Sequence, residues 1–215
     1  MTSRLTRREA TLIARLGTPR RVQGFLDALP YNREVGGATL RTFRGVVAHR
    51  TAHCLEGALA ATTIMEAHGH PPLLLDLRSQ DQLDHVLFLY QRNGRFGTVA
   101  RSRDPGLHGR KAVFTDVVAL VRSYVLPYID LCGRIVGWAV YDLRDLRHCN
   151  WRLSRRNVWA VQEALRAKRG RRLRTSDRQY GTWHRRYIAY RQRFPDKKPR
   201  YYPNRTTWLS SGPKP

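Results

Sequence analysis

Cysteine, lysine, acidic side chains and long apolar runs are all scarce in this chain, and each scarcity closes off a class of function. The three cysteines, Cys54, Cys132 and Cys149, are an odd number with no Cys-x-x-Cys spacing. That pattern suits neither a disulfide framework nor a zinc knuckle, so reduced thiols are expected. No run of about 18 apolar residues occurs, which argues against a transmembrane helix. The opening MTSRLTRREATLIARLG carries arginines but lacks the unbroken apolar stretch of a secretory signal; a cytoplasmic protein is expected.

Acidic residues number 16 against 40 Lys and Arg, for a formal net charge of +24. A field of that size attracts polyanions, and nucleic acid is the obvious one. The excess is uneven: residues 151–215 hold 19 basic and 3 acidic side chains, whereas residues 1–150 hold 21 and 13. Only five of the 40 basic residues are lysines, a bias that arginine-rich codon usage would produce as readily as phosphate recognition. The charge change near Trp151 marks the best candidate boundary, dividing a domain at 1–150 from a basic, aromatic extension at 151–215.

Local patterns fill in the first part. TPRRVQGFLDAL (18–29) predicts a helix, with Thr18 as cap and Pro19 in the first turn. From Cys54 to His68 the residues are small and apolar almost all round, which predicts a buried central helix stopped by Gly69 and Pro71. PLLLDL and RIVGWAVYDL read as strands, AVFTDVVALVRSYVLPYI as a helix broken near Pro127, and SRRNVWAVQEALRAKRG as a capped helix.

The most informative stretch is DHVLFLYQRNGRFGTVARSRDPG, two apolar runs around Asn93-Gly94, a strong hairpin signal. With these two as the turn, Arg92 lies opposite Arg95, Leu89 opposite Thr98 and His85 opposite Ser102. Alternation then places His85, Ser102 and Asp104 on one face. A thiol at a helix start, a strand histidine and a nearby carboxylate are the parts of a Cys-His-Asp hydrolase: helix amides and an imidazolium favour the thiolate, and the carboxylate fixes the tautomer. Singly, each has a plainer reading: Cys54 as core filler, His85 as a satisfied strand histidine, Asp104 before Pro105 as a turn residue. A metal site from His53, Cys54, His85 and His108 lacks any recognised zinc spacing.

The order PYN (30–32), HCLEGALAATTIMEAHGHPPLLLDL (53–77) and DHVLFLYQRNGRFGTVARSRDP (84–105) resembles the core of the transglutaminase-like superfamily, and more closely its uncharacterised bacterial members. The resemblance covers about a third of the chain. It implies an α+β, papain-like fold with a Cys-bearing central helix on an antiparallel sheet, here followed by a basic α-helical C-terminal extension. It implies Cys54 as nucleophile, His85 as base and Asp104 as orienting residue, with Ser102 the alternative, Gly69 and Pro71 in the turn after the helix, and Tyr31 or Asn32 as oxyanion donors. Two positions depart from the family: His53 stands where a small residue usually precedes the cysteine, and Leu87 where an aromatic usually follows the histidine.

Two functions follow. The first is a thiol-dependent acyl-transfer enzyme, needing no cofactor, in which Cys54 attacks a peptide or other amide-bearing substrate and water or an amine resolves the acyl-enzyme. The second is a binding module without catalysis. Its support is RAKRGRRLRTSDRQYGTWHRRYIAYRQRF, where Arg171, Arg172 and Arg174 offer phosphate contacts and Tyr187, among other aromatics, a stacking face for nucleic acid or another polyanion.

Overall fold

The computed structural model describes residues 4–197. A six-stranded antiparallel sheet grows outward on both sides of its first strand, β1 (Leu73–Ser79). On one side follow β2 (His85–Arg92), β3 (Arg95–Val99) and β4 (Arg110–Phe114); on the other, β5 (Ile135–Asp142) and the two-residue β6 (Arg171–Arg172). Around it run α1 (Arg7–Arg15), α2 (Pro19–Asp27), α3 (Phe43–His49), α4 (Cys54–Glu66), α5 (Val117–Tyr128), α6 (Trp159–Ala167) and α7 (Asp177–Arg193). The architecture is α+β.

Helix α4 is buried from Leu55 to Met65, as its near-continuous apolar surface requires. Strand side chains alternate faces, so β1 and β2 supply two cores. Leu74, Val86 and Phe88 pack on the α4 side, whereas Leu75, Leu77, Leu87 and Leu89 meet Leu120, Val121 and Tyr124 of α5. Thr18 caps α2 through its hydroxyl, which accepts from Arg21 N–H at 3.3 Å.

The hairpin has the register counted from the sequence, with Arg92 paired to Arg95 and Leu89 to Thr98. Asn93 and Gly94 both have positive φ, 50° and 72°, as a type I′ turn demands. The ladder stops at Phe88↔Val99, however, so Ser102 is not the ladder partner of His85. Beyond it the chain turns to α2: on the side away from β2, the Gln23 side chain accepts from Ala100 N–H at 3.0 Å and donates to Ala100 O at 2.8 Å.

Two other expectations change. The stretch from Ala112 is not helical from its start, because Phe114 and Arg110 pair with Phe96 and Thr98 as β4; α5 begins only after Asp116, which caps it. Pro127 sits in its last turn and does not break it. The charge change at Trp151 falls inside the packing. Trp151 is fully buried with its indole N–H donating to Leu143 O at 3.2 Å, Val161 and Leu165 of α6 share a core with Leu55 and Leu59 of α4, and β6 joins the sheet. The helical character expected of the extension at 151–215 is present in α6 and α7; its residues 198–215 lie outside the described residues. No helix among those described is long and apolar enough to cross a membrane.

Candidate active site

Cys54 is the first residue of α4, and His53, in extended conformation, is its N-cap. The helix register is anchored two residues on. Glu56, fully buried, accepts hydrogen bonds from Asn32 Nδ2 (3.0 Å), Thr39 Oγ1 (2.8 Å), Arg41 N–H (3.0 Å) and His53 N–H (3.1 Å). Although burial opposes its ionisation, neighbouring His53 and these donors hold its carboxyl below the usual range. One carboxylate therefore ties the loop at 32–41 to the start of the thiol helix.

The thiol lies between two imidazoles. Burial works against a thiolate, but hydrogen bonds to His53 and His85 and their charge outweigh it, so Cys54 falls to about 5. His53 moves the opposite way, to about 9: burial disfavours its charge, while the Cys54 hydrogen bond and charge, and then Glu56, favour it. Its Nε2 donates to Thr39 O at 2.9 Å and lies 3.7 Å from Glu56 Oε1. The helix N-terminus adds to the same preference for negative sulfur. Cys149, half-buried, is shifted upward by burial.

His85, buried at the start of β2, has its ring edge-on to Tyr124 at 6.4 Å between centroids. Its Nε2 donates to the carbonyl of Leu107 at 2.8 Å. With Nε2 so engaged, Nδ1 is the nitrogen left for the hydrogen bond to the thiol. The orienting position that the sequence reading gave to Asp104, or to Ser102, is thus filled by a backbone carbonyl. Asp104 precedes the 3-10 turn Pro105–Leu107 and donates its N–H to Ser102 Oγ at 3.1 Å. Ser102 spends its hydroxyl on that turn, and its carbonyl accepts from Arg101 Nη1 at 2.6 Å. Both residues line the cleft beside the dyad. His108 bridges Asp27 Oδ1 at 2.8 Å and Ser102 O at 3.2 Å. Among the described residues no group of three His, Cys, Asp or Glu side chains is gathered as metal ligands.

Of the two expected oxyanion donors, the structure places one at the sulfur and one away from it. Tyr31 lines the cleft beside Cys54; burial first, then the Cys54 charge, push the phenol up to about 12, so it stays protonated and able to donate. Its ring is flanked by the guanidinium groups of Arg101 and Arg103, 5.6 and 5.7 Å from its centroid. Asn32 instead commits its amide to Glu56 and to Thr39 Oγ1, at 3.0 and 2.8 Å.

These residues open onto a cleft of about 830 Å³. One wall is Tyr31, Asn32 and His53; the opposite wall comes from Gln162, Leu165 and Arg166 of α6 and Tyr187 of α7. Tyr187 is 5% exposed, which removes it from the surface stacking role expected of it. Asp76 of β1 also faces the cleft; burial pushes its carboxyl up to about 6 against the pull of Arg78, whose Nε is 3.1 Å away. Arg171, Arg172 and Arg174 lie elsewhere, around a second groove of about 810 Å³ lined also by Arg78 and Arg134.

Sequence reasoning missed Glu56, although a carboxylate two residues after the cysteine, leading a run of small apolar residues, was a visible signal. It noticed His53 only as a departure. The Leu107 carbonyl left no trace in the sequence, because any residue carries one. No protein-family model matches the chain, and comparison with curated proteins likewise finds no match.

Proposed function

We propose that this protein is a thiol-dependent acyl-transfer enzyme with a papain-like, transglutaminase-like core. The observation that carries the reading is the Cys54 thiol at the start of a buried helix, lining one cleft together with His53 and His85 and drawn toward the thiolate by them. The Cys54 thiolate attacks an amide or ester carbonyl, forming the C–S bond while the carbonyl π electrons move onto oxygen. Tyr31 O–H and Cys54 N–H are the donors this reading assigns to that oxygen. His85, which holds the thiol's proton on Nδ1 while its Nε2–H stays on Leu107 O, gives that proton to the leaving amine as the C–N bond breaks, and the neutral imidazole later takes a proton from the water or amine that resolves the thioester. A peptide or other amide-bearing substrate fits a cleft of this size.

The test is selective acylation. With p-nitrophenyl acetate, a burst of nitrophenolate is expected, with acetyl found by mass spectrometry on Cys54 and not on Cys132 or Cys149. Iodoacetamide at pH 7 should likewise label Cys54 first, and His85→Ala should slow it. Equal labelling of all three thiols, unchanged in His85→Ala, would overturn the reading.

A second reading, polyanion binding, is favoured by the groove where Arg78, Arg134, Arg171, Arg172 and Arg174 face one carboxylate, Asp177. Affinity for duplex DNA should then fall with salt at a log-log slope of about −0.9 per neutralised phosphate, flattened by replacing Arg171, Arg172 and Arg174 with glutamine. Undetectable binding at low salt would remove it.

A further inference from the structure

We infer that Arg110 is the positioning residue of the dyad, holding the backbone carbonyl that selects the tautomer of His85; the inference rests on the acyl-transfer reading. Arg110 is fully buried on β4. Its guanidinium donates through Nη2 to Gly106 O and through Nη1 to His108 O, both at 2.7 Å. Those two carbonyls flank the carbonyl of Leu107, which accepts from His85 Nε2. The fork therefore clamps the peptide units on either side of the one the histidine uses.

The clamp is itself held on two sides. Arg110 Nε donates to Ser123 Oγ at 3.1 Å, and the guanidinium stacks on the ring of Tyr124, 3.7 Å from its centroid. The Tyr124 hydroxyl returns to the same loop, donating to His108 O at 3.1 Å. A carbonyl cannot accept unless the nitrogen facing it bears the proton, so a fixed Leu107 carbonyl forces the Nε2–H tautomer of the neutral ring and leaves its Nδ1 to take the thiol's proton. In the Ser-His-Asp arrangement a carboxylate does this work. Here a neutral carbonyl does it, and the rigidity a charged side chain would give comes from a buried arginine one turn away. Arginine suits the task because its planar fork reaches two acceptors from separate nitrogens in a fixed geometry, which the single rotating ammonium of a lysine does not impose.

The experiment uses the full chain. In Cys54→Ala protein with 15N-labelled histidine, NMR should find neutral His85 as the Nε2–H tautomer, with that proton slow to exchange; an Nδ1–H tautomer overturns the inference. In Arg110→Lys, which keeps the charge but loses the fork, His85 should become a tautomer mixture, and iodoacetamide alkylation of Cys54 should slow by roughly ten- to a hundredfold as the geometry loosens. A merely structural arginine would lower the melting temperature and leave both readouts unmoved, which also overturns the inference. Should Arg110→Lys not fold, Ser123→Ala removes one support of the same fork and should shift the tautomer in the same direction; an unshifted tautomer there counts against the clamp. The acyl-transfer reading fails separately, if wild-type Cys54 is alkylated no faster than Cys132 while His85 still shows the Nε2–H tautomer.

Discussion

Glu56 holds four donors from the buried first turn of α4, and replacing one of its oxygens by an amide nitrogen would set donor against donor. Glu56→Gln is expected to cost about 3 kcal/mol in chemical denaturation, since buried groups left without partners carry their full desolvation penalty. The thiol sets a pH dependence whose sign can be worked out. Cys54 is lowered to about 5, so its thiolate stabilises the fold above the range of an ordinary thiol and that contribution is lost as pH falls through 5. His53 is raised to about 9, so its charge contributes below the ordinary imidazole value and is lost as pH rises through 9. The ion pair is intact between these limits. Alkylation of Cys54 should therefore rise through pH 5 and be flat from about 6 to 8, where an ordinary thiol is still gaining reactivity; a rate climbing steadily through pH 8 would contradict the assignment. At this scale the sequence was legible wherever side-chain chemistry is the message, as at Cys54, His85 and Tyr31. It was silent where a backbone atom does the work, as at Leu107.

Helix α4 meets the chain leaving β3 at Gly57, one turn after the thiol. A Cβ there would lie 2.7 Å from Arg101 Cβ and 3.6 Å from Leu26 Cδ1. The obstructing atom is the root of a side chain, fixed by its own backbone, so it cannot swing aside. Gly57→Ala gains about 1 kcal/mol of helix propensity but must push the 100–102 segment off the helix. A net loss of about 1 to 2 kcal/mol is expected, checked by urea denaturation; a stabilised variant would mean the segment yields freely. That close approach is why Ser102 and Asp104 reach the cleft although β3 has already ended. The hairpin turn and its register were readable because Asn93-Gly94 and alternation are local signals. What receives the chain beyond the ladder was not, because Gln23, which bonds Ala100, lies 77 positions away in sequence. β4 was hidden for a similar reason: Ala112, Val113 and Phe114 suit a helix or a strand, and only the neighbouring β3 decides.

Charge partitioned the molecule in the sequence, but packing does not follow charge. A chain ending after Asn150 would lack Trp151, whose indole fills the core, and the edge strand β6. Residues 1–150 alone are therefore expected to show no cooperative thermal transition by circular dichroism and to elute as aggregate in gel filtration. A sharp transition would restore the two-part reading. Arginine density says what the surface attracts and nothing about where a domain stops, so the boundary could not be read from it. The cleft has the same long-range construction, with Tyr31, Asn32 and His53 on one side and Gln162, Leu165, Arg166 and Tyr187 on the other. Translation supplies these walls in order, the thiol early and its far wall near the end. Whatever the cleft receives can therefore be recognised only by a polypeptide translated through Tyr187, and a message cut short makes the thiol without the recess that surrounds it.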